Sequence, residues 1–244
     1  MVRTLLIIAA ASFVLMLAAF GGAAAIGGPQ LMRNGWSIDM GDGSSTEWSG
    51  PTTERTLEWS GGDTLAIDLP ANVTYTQGDT PSVVISGPES IVQRVTLVDG
   101  RLSFPDDGED RHFNIVSGPD RILEVTITAP DVSHFVLEGY GDLHLNAIDQ
   151  DSLEIRAEGA GDVEAHGRAG DLRLVLDGAG DADLTALSVD NADVRLSGAG
   201  SAQVNASQSA NVEIDGVGNV DLTQRPAQLT QDVSGIGRVN IESE

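Results

Sequence analysis

Three aspartates recur at near-constant spacing: Asp142, Asp162 and Asp181, each directly after a Gly-x-Gly triplet. Equivalent positions further on hold Ser201, Asn219 and Arg238. A second acidic series, Glu138, Glu158, Asp177 and Asp215, stands just ahead of the triplets. Carboxylates brought side by side suit a hard cation such as Ca²⁺, which takes oxygen ligands from side chains and turn carbonyls. Asp142, Asp162 and Asp181 are therefore the candidate metal ligands. The same residue types also cap bends, because Asp, Asn and Ser accept hydrogen bonds from nearby backbone amides. Ser201 and Asn219 favour capping, since a bend tolerates them and a dedicated ion cage does not. The nine-residue calcium repeat of β-rolls is absent.

Other chemistries find less support. Paired carboxylates resemble a glycosidase or lyase site, but acids on nearly every repeat make their closeness uninformative. A lyase acting on polyanions wants a basic cleft, and only Arg156, Arg173 and Arg195 recur near one another. Counted from the glycines, Arg156 and Arg195 share a column but flank Val175. His112, His134, His144 and His166 show no His-x-x-His or His-Glu-x-x-His spacing. The chain has no cysteine, which removes disulfides, thiol catalysis, cysteine-zinc sites and lipidated-cysteine anchors. Nor is Gly-x-Gly a dinucleotide fingerprint here, because no helical pattern follows it. No catalytic residue and no cofactor is assigned.

What positions these residues is the repeat itself. The glycine pairs are Gly139 with Gly141, Gly159 with Gly161, Gly178 with Gly180, Gly198 with Gly200, Gly216 with Gly218 and Gly235 with Gly237. Their first members are 20, 19, 20, 18 and 19 residues apart. A period near twenty is the mark of a solenoid, one coil per repeat. Two residues ahead of each pair stand Leu137, Ala157, Leu176, Leu196, Ile214 and Val233, and four ahead stand Phe135, Ile155, Leu174, Val194, Val212 and Gln231. Aliphatic residues also occupy the second and fourth positions after each pair, with polar residues between. That is period two on both flanks of a bend, hence strands with one buried face. The glycines take inward-phase positions, where a bend demands unusual torsions or close backbone approach. All twelve are expected to be structural bends. Strands recurring once per coil must pair in parallel with the next coil. A β-sandwich would not return one motif in one phase six times. The fold expected is therefore all-β, a parallel β-helix of about 19–20 residues per coil.

Residues 57–130 read as the first, atypical coils with hairpin excursions, sharing one core with the repeats. Strand patterns cover Leu65–Leu69, Val73–Tyr75, Val83–Ile85, Val95–Val98, Leu102–Phe104 and Ile122–Thr128, with a hairpin turn at Asp99-Gly100. No helix is expected after residue 28. Residues 29–56 read as a linker, rich in Gly, Ser, Thr, Pro and Glu. Ahead of it, Arg3 leads into 23 uncharged residues, Thr4 to Ile26, closed by Ala23-Ala24-Ala25. This is an export signal, and two outcomes stay open: cleavage after Ala25, or retention as an anchor in the cytoplasmic membrane. Either places residues 57–244 in the periplasm or at the cell surface.

Net charge is −24, from 37 acids against 13 bases, all of them arginine. Such a surface repels nucleic acid and anionic lipid.

The run Ala129-Pro130-Asp131-Val132-Ser133-His134-Phe135-Val136-Leu137-Glu138-Gly139-Tyr140-Gly141-Asp142-Leu143, followed by repeated Gly-Ala-Gly-Asp, resembles the head GIN domain, described as a "putative auto-transporter adhesin". The strand Leu69-Pro70-Ala71-Asn72-Val73-Thr74-Tyr75 and the turn Asp99-Gly100-Arg101-Leu102 are similar to it as well. The resemblance spans about residues 57–241. It implies a bacterial envelope protein with a β-helical fold and carries no catalytic residues. The sixth repeat departs, with Gly235-Ile236-Gly237-Arg238, as a C-terminal cap would. The function expected is non-enzymatic: an adhesin-like or scaffolding β-helix that meets an envelope or surface protein or a glycan. The alternative is a carbohydrate-binding or carbohydrate-processing β-helix, for which the repeats offer one aromatic outside the inward positions, Tyr140.

Overall fold

The computed structural model describes residues 51–105 and 122–242. The export segment, residues 29–50 of the expected linker and His112 lie outside them. In chain order the elements are β1 (Thr52–Leu57), β2 (Thr64–Asp68), β3 (Ala71–Gln77), β4 (Ser82–Pro88), α1 (Glu89–Val92), β5 (Thr96–Val98), β6 (Arg101–Ser103), β7 (Leu123–Ala129), β8 (His134–Leu137), β9 (Leu143–Ala157), β10 (Val163–Leu176), β11 (Ala182–Leu196), β12 (Ala199–Ile214), β13 (Val217–Leu222), β14 (Gln228–Val233) and β15 (Ile236–Ile241).

The repeats form a parallel β-helix. Strands β9 to β12 each supply the wall of one coil and pair in parallel with the next. In the last coil β13 and β14 lie on β12, and β15 lies on β13. The inward residues stack in columns, among them Phe135–Ile155–Leu174–Val194–Val212 and Leu143–Val163–Ala182–Ala202–Val220, every member 0–1% exposed. Uneven coil lengths have a definite location. Between Glu164 and Gly167, and again between Leu184 and Ser188 and between Val189 and Asn191, the register slips against the neighbouring coil. Residues are gained and lost at these far bends, and the Gly-x-Gly corner keeps its phase.

At that corner the two glycine columns stack directly. The backbone ladder runs round the bend: Ala160 N donates to Gly139 O (3.2 Å), and Gly161 N donates to Ala179 O (3.1 Å). A Cβ on Gly159 would collide with the carbonyl oxygen of Gly139, and one on Gly178 with that of Gly159. Both lie far inside the 3.0 Å that real Cβ atoms respect. Gly198, Gly216 and Gly235 continue this first column in the same way. In the second column a Cβ on Gly180 would strike the carbonyl oxygen of Gly161, one on Gly200 that of Gly180, and one on Gly218 that of Gly200. Here the side-chain direction points at the coil beneath, so only glycine fits. Gly141, at φ +118°, adds a torsion that other residues avoid. The columns continue below the repeats, where Leu69 and Ala71 carry the carbonyls that face Gly139 and Gly141.

The first coil is built from β2 and β3, which pair in parallel with β8 and β9. Its inward Tyr75 packs edge to face against Phe135 of β8 in the coil above, with centroids 4.9 Å apart. The Tyr75 hydroxyl donates to Ala129 O at 2.7 Å, and burial pushes its pKa up to about 12. Beneath this coil the chain changes direction. Strand β7 lies parallel under β3, β4 runs antiparallel to β7, and β1 runs antiparallel to β4. The hairpin β5–β6 lies under β2, with Asp99 (φ +50°) and Gly100 (φ +77°) forming the expected turn. Helix α1 buries Ile91 and Val92, and the Arg55 guanidinium holds the carbonyls of Val92, Gln93 and Val95, each at 3.0 Å.

Four expectations need correction. Residues 52–56 belong to a strand, not to the linker, because β4 offers them an open antiparallel edge. A helix does follow residue 28, one turn long, too short for periodicity to announce it. The glycine bend is not the same in every coil. Gly141, Gly161 and Gly180 lie between strands and take positive φ, whereas Gly200, Gly218 and Gly237 lie inside β12, β13 and β15. There the ladder pairs Gly200 with Gly218 and Gly218 with Gly237 without a break, so close approach alone, and no unusual torsion, demands glycine. Lastly, among the described residues the sixth repeat leaves its end incompletely covered: Leu229, Val239 and Ile241 are only partly buried, and Val233 and Ile236 are 40% and 74% exposed.

Gly178→Ala should therefore cost about 3 kcal/mol or more, since neither backbone can yield without breaking the ladder. Gly62, where an added Cβ meets nothing within 4 Å, is the control. Gly62→Ala should change stability by less than about 0.5 kcal/mol in denaturant titration. Equal midpoints for the two variants would mean that the corner is not under this constraint.

Candidate functional site

The aspartate column forms, and one oxygen of each carboxylate is occupied by a backbone amide. Asp162 N donates to Asp142 Oδ1 at 2.9 Å, Asp181 N to Asp162 Oδ1 at 2.8 Å, and Ser201 N to Asp181 Oδ1 at 2.7 Å. Asn72 starts the series, accepting from Asp142 N at 3.2 Å. Each side chain thus serves the amide of the next coil at the place where the turning backbone leaves it without a carbonyl. Asn72 was legible in principle, since Leu69-Pro70-Ala71-Asn72 aligns with Gly-x-Gly-Asp. Among the described residues, no group of three or more His, Asp or Glu has the geometry to hold a metal ion.

The second acidic series is balanced by arginine and hydroxyl groups. Arg156 lies 3.6 Å from Glu158 and 3.8 Å from Asp177, and Arg195 lies 2.8 Å from Asp215. Arg101 pairs with Glu138, while Ser197 and Ser234 donate to Asp177 and Asp215. Arg156 and Arg195 do flank Val175 in one column. Val175, although its phase is outward, is only 3% exposed.

Alongside runs a mixed column, His134–Glu154–Arg173–Asp193–Asn211. Arg173 bonds Asp193 at 2.7 Å and sits 3.7 Å from Glu154, and Asn211 donates to Asp193 at 2.9 Å. Two residues earlier in each coil stands the column Ser152–Asp171–Asn191–Ser209, in which Asn191 donates to Asp171 at 2.8 Å and Ser209 to Asn191 at 2.7 Å. Between the two columns lies a trough of about 370 Å³ whose lining includes Leu153, Leu172 and Ala192. It runs across successive coils between polar rims, and Leu153, Leu172 and Ala192 lie beneath it with their side chains in the core, 1–4% exposed.

On the face formed by the starts of β9, β10 and β11, Glu164 is hydrogen-bonded to His166 (2.7 Å) and His144 (3.1 Å). The bond with His166, and after it that with His144, holds the Glu164 carboxyl below its ordinary range. Asp183 is likewise lowered, chiefly by the Thr185 hydroxyl and amide, with His166 contributing. A search for short-range histidine motifs misses this group. Its signal is a 20-residue offset between His144 and Glu164, one coil, combined with the two-residue offset to His166.

Asp162→Ala, which leaves the Asp181 amide without its acceptor, should lose about 1–2 kcal/mol in thermal or chemical unfolding. Asp162→Asn keeps an acceptor oxygen and should be nearly neutral. The same titration with millimolar Ca²⁺ and Mg²⁺ should give equal shifts. A Ca²⁺-specific rise lost in Asp162→Asn would turn the column into an ion site. For the histidine group, a depressed carboxylate contributes stability that is present above its unfolded pKa and lost as pH falls through the folded one. His166→Ala should move the Glu164 titration, followed by carboxyl NMR, upward. No movement would mean that the contact is not made in solution.

Two kinds of comparison relate this chain to others. The family described as "Putative auto-transporter adhesin, head GIN domain" matches residues 63–226. A solved structure described as a "putative adhesin" from Bacteroides fragilis is 21% identical, with a TM-score of 0.60 over 80% of this chain and 99% of that one. A "putative lipid binding protein" from Parabacteroides distasonis (15% identity, TM-score 0.46) covers 80% of this chain and 98% of its own. A "putative adhesin" from Parabacteroides merdae (16%, 0.46) covers 80% and 97%. The first of these shares the fold; the other two are more distant. No curated protein matches the sequence. With the family match spanning about two thirds of its length, and the glycine corners and aspartate column in place, the chain belongs to the head GIN domain family.

Proposed function

We propose that this chain is an exported, non-enzymatic envelope protein whose β-helix serves as a rigid adhesive or scaffolding surface. The observation that supports this reading is the coil-by-coil bonding of outward side chains beside the trough. Arg173 to Asp193, Asn191 to Asp171 and Ser209 to Asn191 fix the rims in one arrangement before any partner arrives. A partner that binds pre-ordered side chains avoids the cost of immobilising them. Coils rise by about 4.8 Å, so donors and acceptors recur at one fixed spacing along the β-helix.

Full-length protein on beads, incubated with envelope fractions of the producing bacterium, should retain a partner. The double variant Arg173→Ala, Asn191→Ala, altered only at exposed or half-exposed positions, should keep wild-type circular dichroism and lose retention by about tenfold. Undiminished retention would remove the trough from the function. Turnover of an acidic polysaccharide by the wild type, lost in the same variant, would replace adhesion with catalysis. A reporter joined after Glu244 and active only outside the cytoplasm tests export separately.

A further inference from the structure

The two ends of the β-helix are finished differently. At the N-terminal end the antiparallel strands β4 and β1, the hairpin β5–β6 and helix α1 cover the first coil. At the other end β15 pairs, among the described residues, with β13 alone. Inward residues that are fully buried in the coil before, Val220 and Leu222, have counterparts Val239 and Ile241 that are only partly covered. An open parallel edge over an open core is a surface that another strand can extend.

We propose that two copies of this chain join tail to tail through β15, which pairs antiparallel with β15 of the second copy about a two-fold axis. The backbone phase supports it. Ile236 N donates to Gly216 O (2.8 Å) and Glu242 N to Leu222 O (2.9 Å), so residues of even number face β13. By alternation the amides and carbonyls of Gly237, Val239 and Ile241 point to the free edge. An antiparallel pair centred on Asn240 sets Val239 opposite Ile241 of the second copy as hydrogen-bonded pairs. Their side chains meet on the inner face and close the core. On the outer face the same register sets Arg238 opposite Glu242 at both ends of the joint, with the two Asn240 side chains facing at its centre. These are non-hydrogen-bonded pairs, the kind that brings side chains closest. Charge thus selects this register. One centred on Val239 would set Arg238 opposite Asn240 and strand Glu242 against Ile236. A two-fold joint uses the same edge on both copies, so the contact closes on itself and does not grow into a filament.

The chain has no native cysteine, so a single introduced thiol reads the joint. Full-length Asn240→Cys protein in mild detergent should form a covalent dimer on oxidation, since Cα atoms across such a pair lie about 4.5 Å apart. Asp221→Cys, in the same outward column one coil inward, should not. Adding Arg238→Glu to Asn240→Cys should lower the cross-linked fraction about tenfold, and the further change Glu242→Arg should restore it. Equal cross-linking at positions 221 and 240 would overturn the proposal. So would no cross-link in an Asn240→Cys protein with wild-type circular dichroism, or no response to charge reversal.

Discussion

The rest of the structure depends on one contact: the carbonyl oxygen of each corner occupies the space where a Cβ would stand in the coil above. Stacking at the strand spacing while turning sharply leaves no room for a side chain in that direction. Glycine at both corner positions is the solution, and it lets the hydrogen-bond ladder pass the bend without a gap. Every column on either side inherits its alignment from this point. Length variation is therefore confined to the far bends, where Ala147 at φ +56° and Gly167 at φ +132° absorb it.

Three of the 37 acids follow from the same geometry. Where the corner lies between strands, the turning backbone leaves one amide without a carbonyl, and Asn72 or an aspartate from the preceding coil fills the need. Stacked carboxylates repel one another by about 1 kcal/mol in water. A hydrogen bond to a charged group contributes about 1.5–3 kcal/mol, so the arrangement is favourable on balance. Elsewhere arginine and serine alternate with acids along the columns and relieve the repulsion. A high net negative charge and a well-ordered surface are then compatible.

Where the repeat is present, the fold was legible in the sequence. Period, phase and the glycine pairs led to coils, interior columns and the Arg156–Val175–Arg195 arrangement. The pairs did not reveal that the bend relaxes into continuous strand at Gly200 and Gly218, since close approach and unusual torsion select the same residue. Where the repeat is absent, pattern reading found strands but not their partners. Nothing local in Val83–Ile85 says that it runs antiparallel beneath a parallel stack, or that Thr52–Leu57 completes the sheet. The four residues of α1 carry no period. The histidine–glutamate group was hidden for the opposite reason: its members are distant in sequence and become neighbours only once coils are stacked. Whether the column of aspartates caps or coordinates required knowing what each oxygen faces, which spacing cannot tell.

The aspartate column also has a direction. Asp142 serves the amide of residue 162, Asp162 that of 181, and Asp181 that of 201, so each acceptor is supplied by the coil made earlier. A growing chain that emerges N-terminus first lays down a finished template before the segment that needs it arrives. The backbone ladder, by contrast, runs both ways, since Gly161 N donates to Ala179 O and Val163 N to Asp181 O of the following coil. Direction therefore belongs to the side-chain column alone: loss of one aspartate orphans an amide in the coil after its own and none in the coil before.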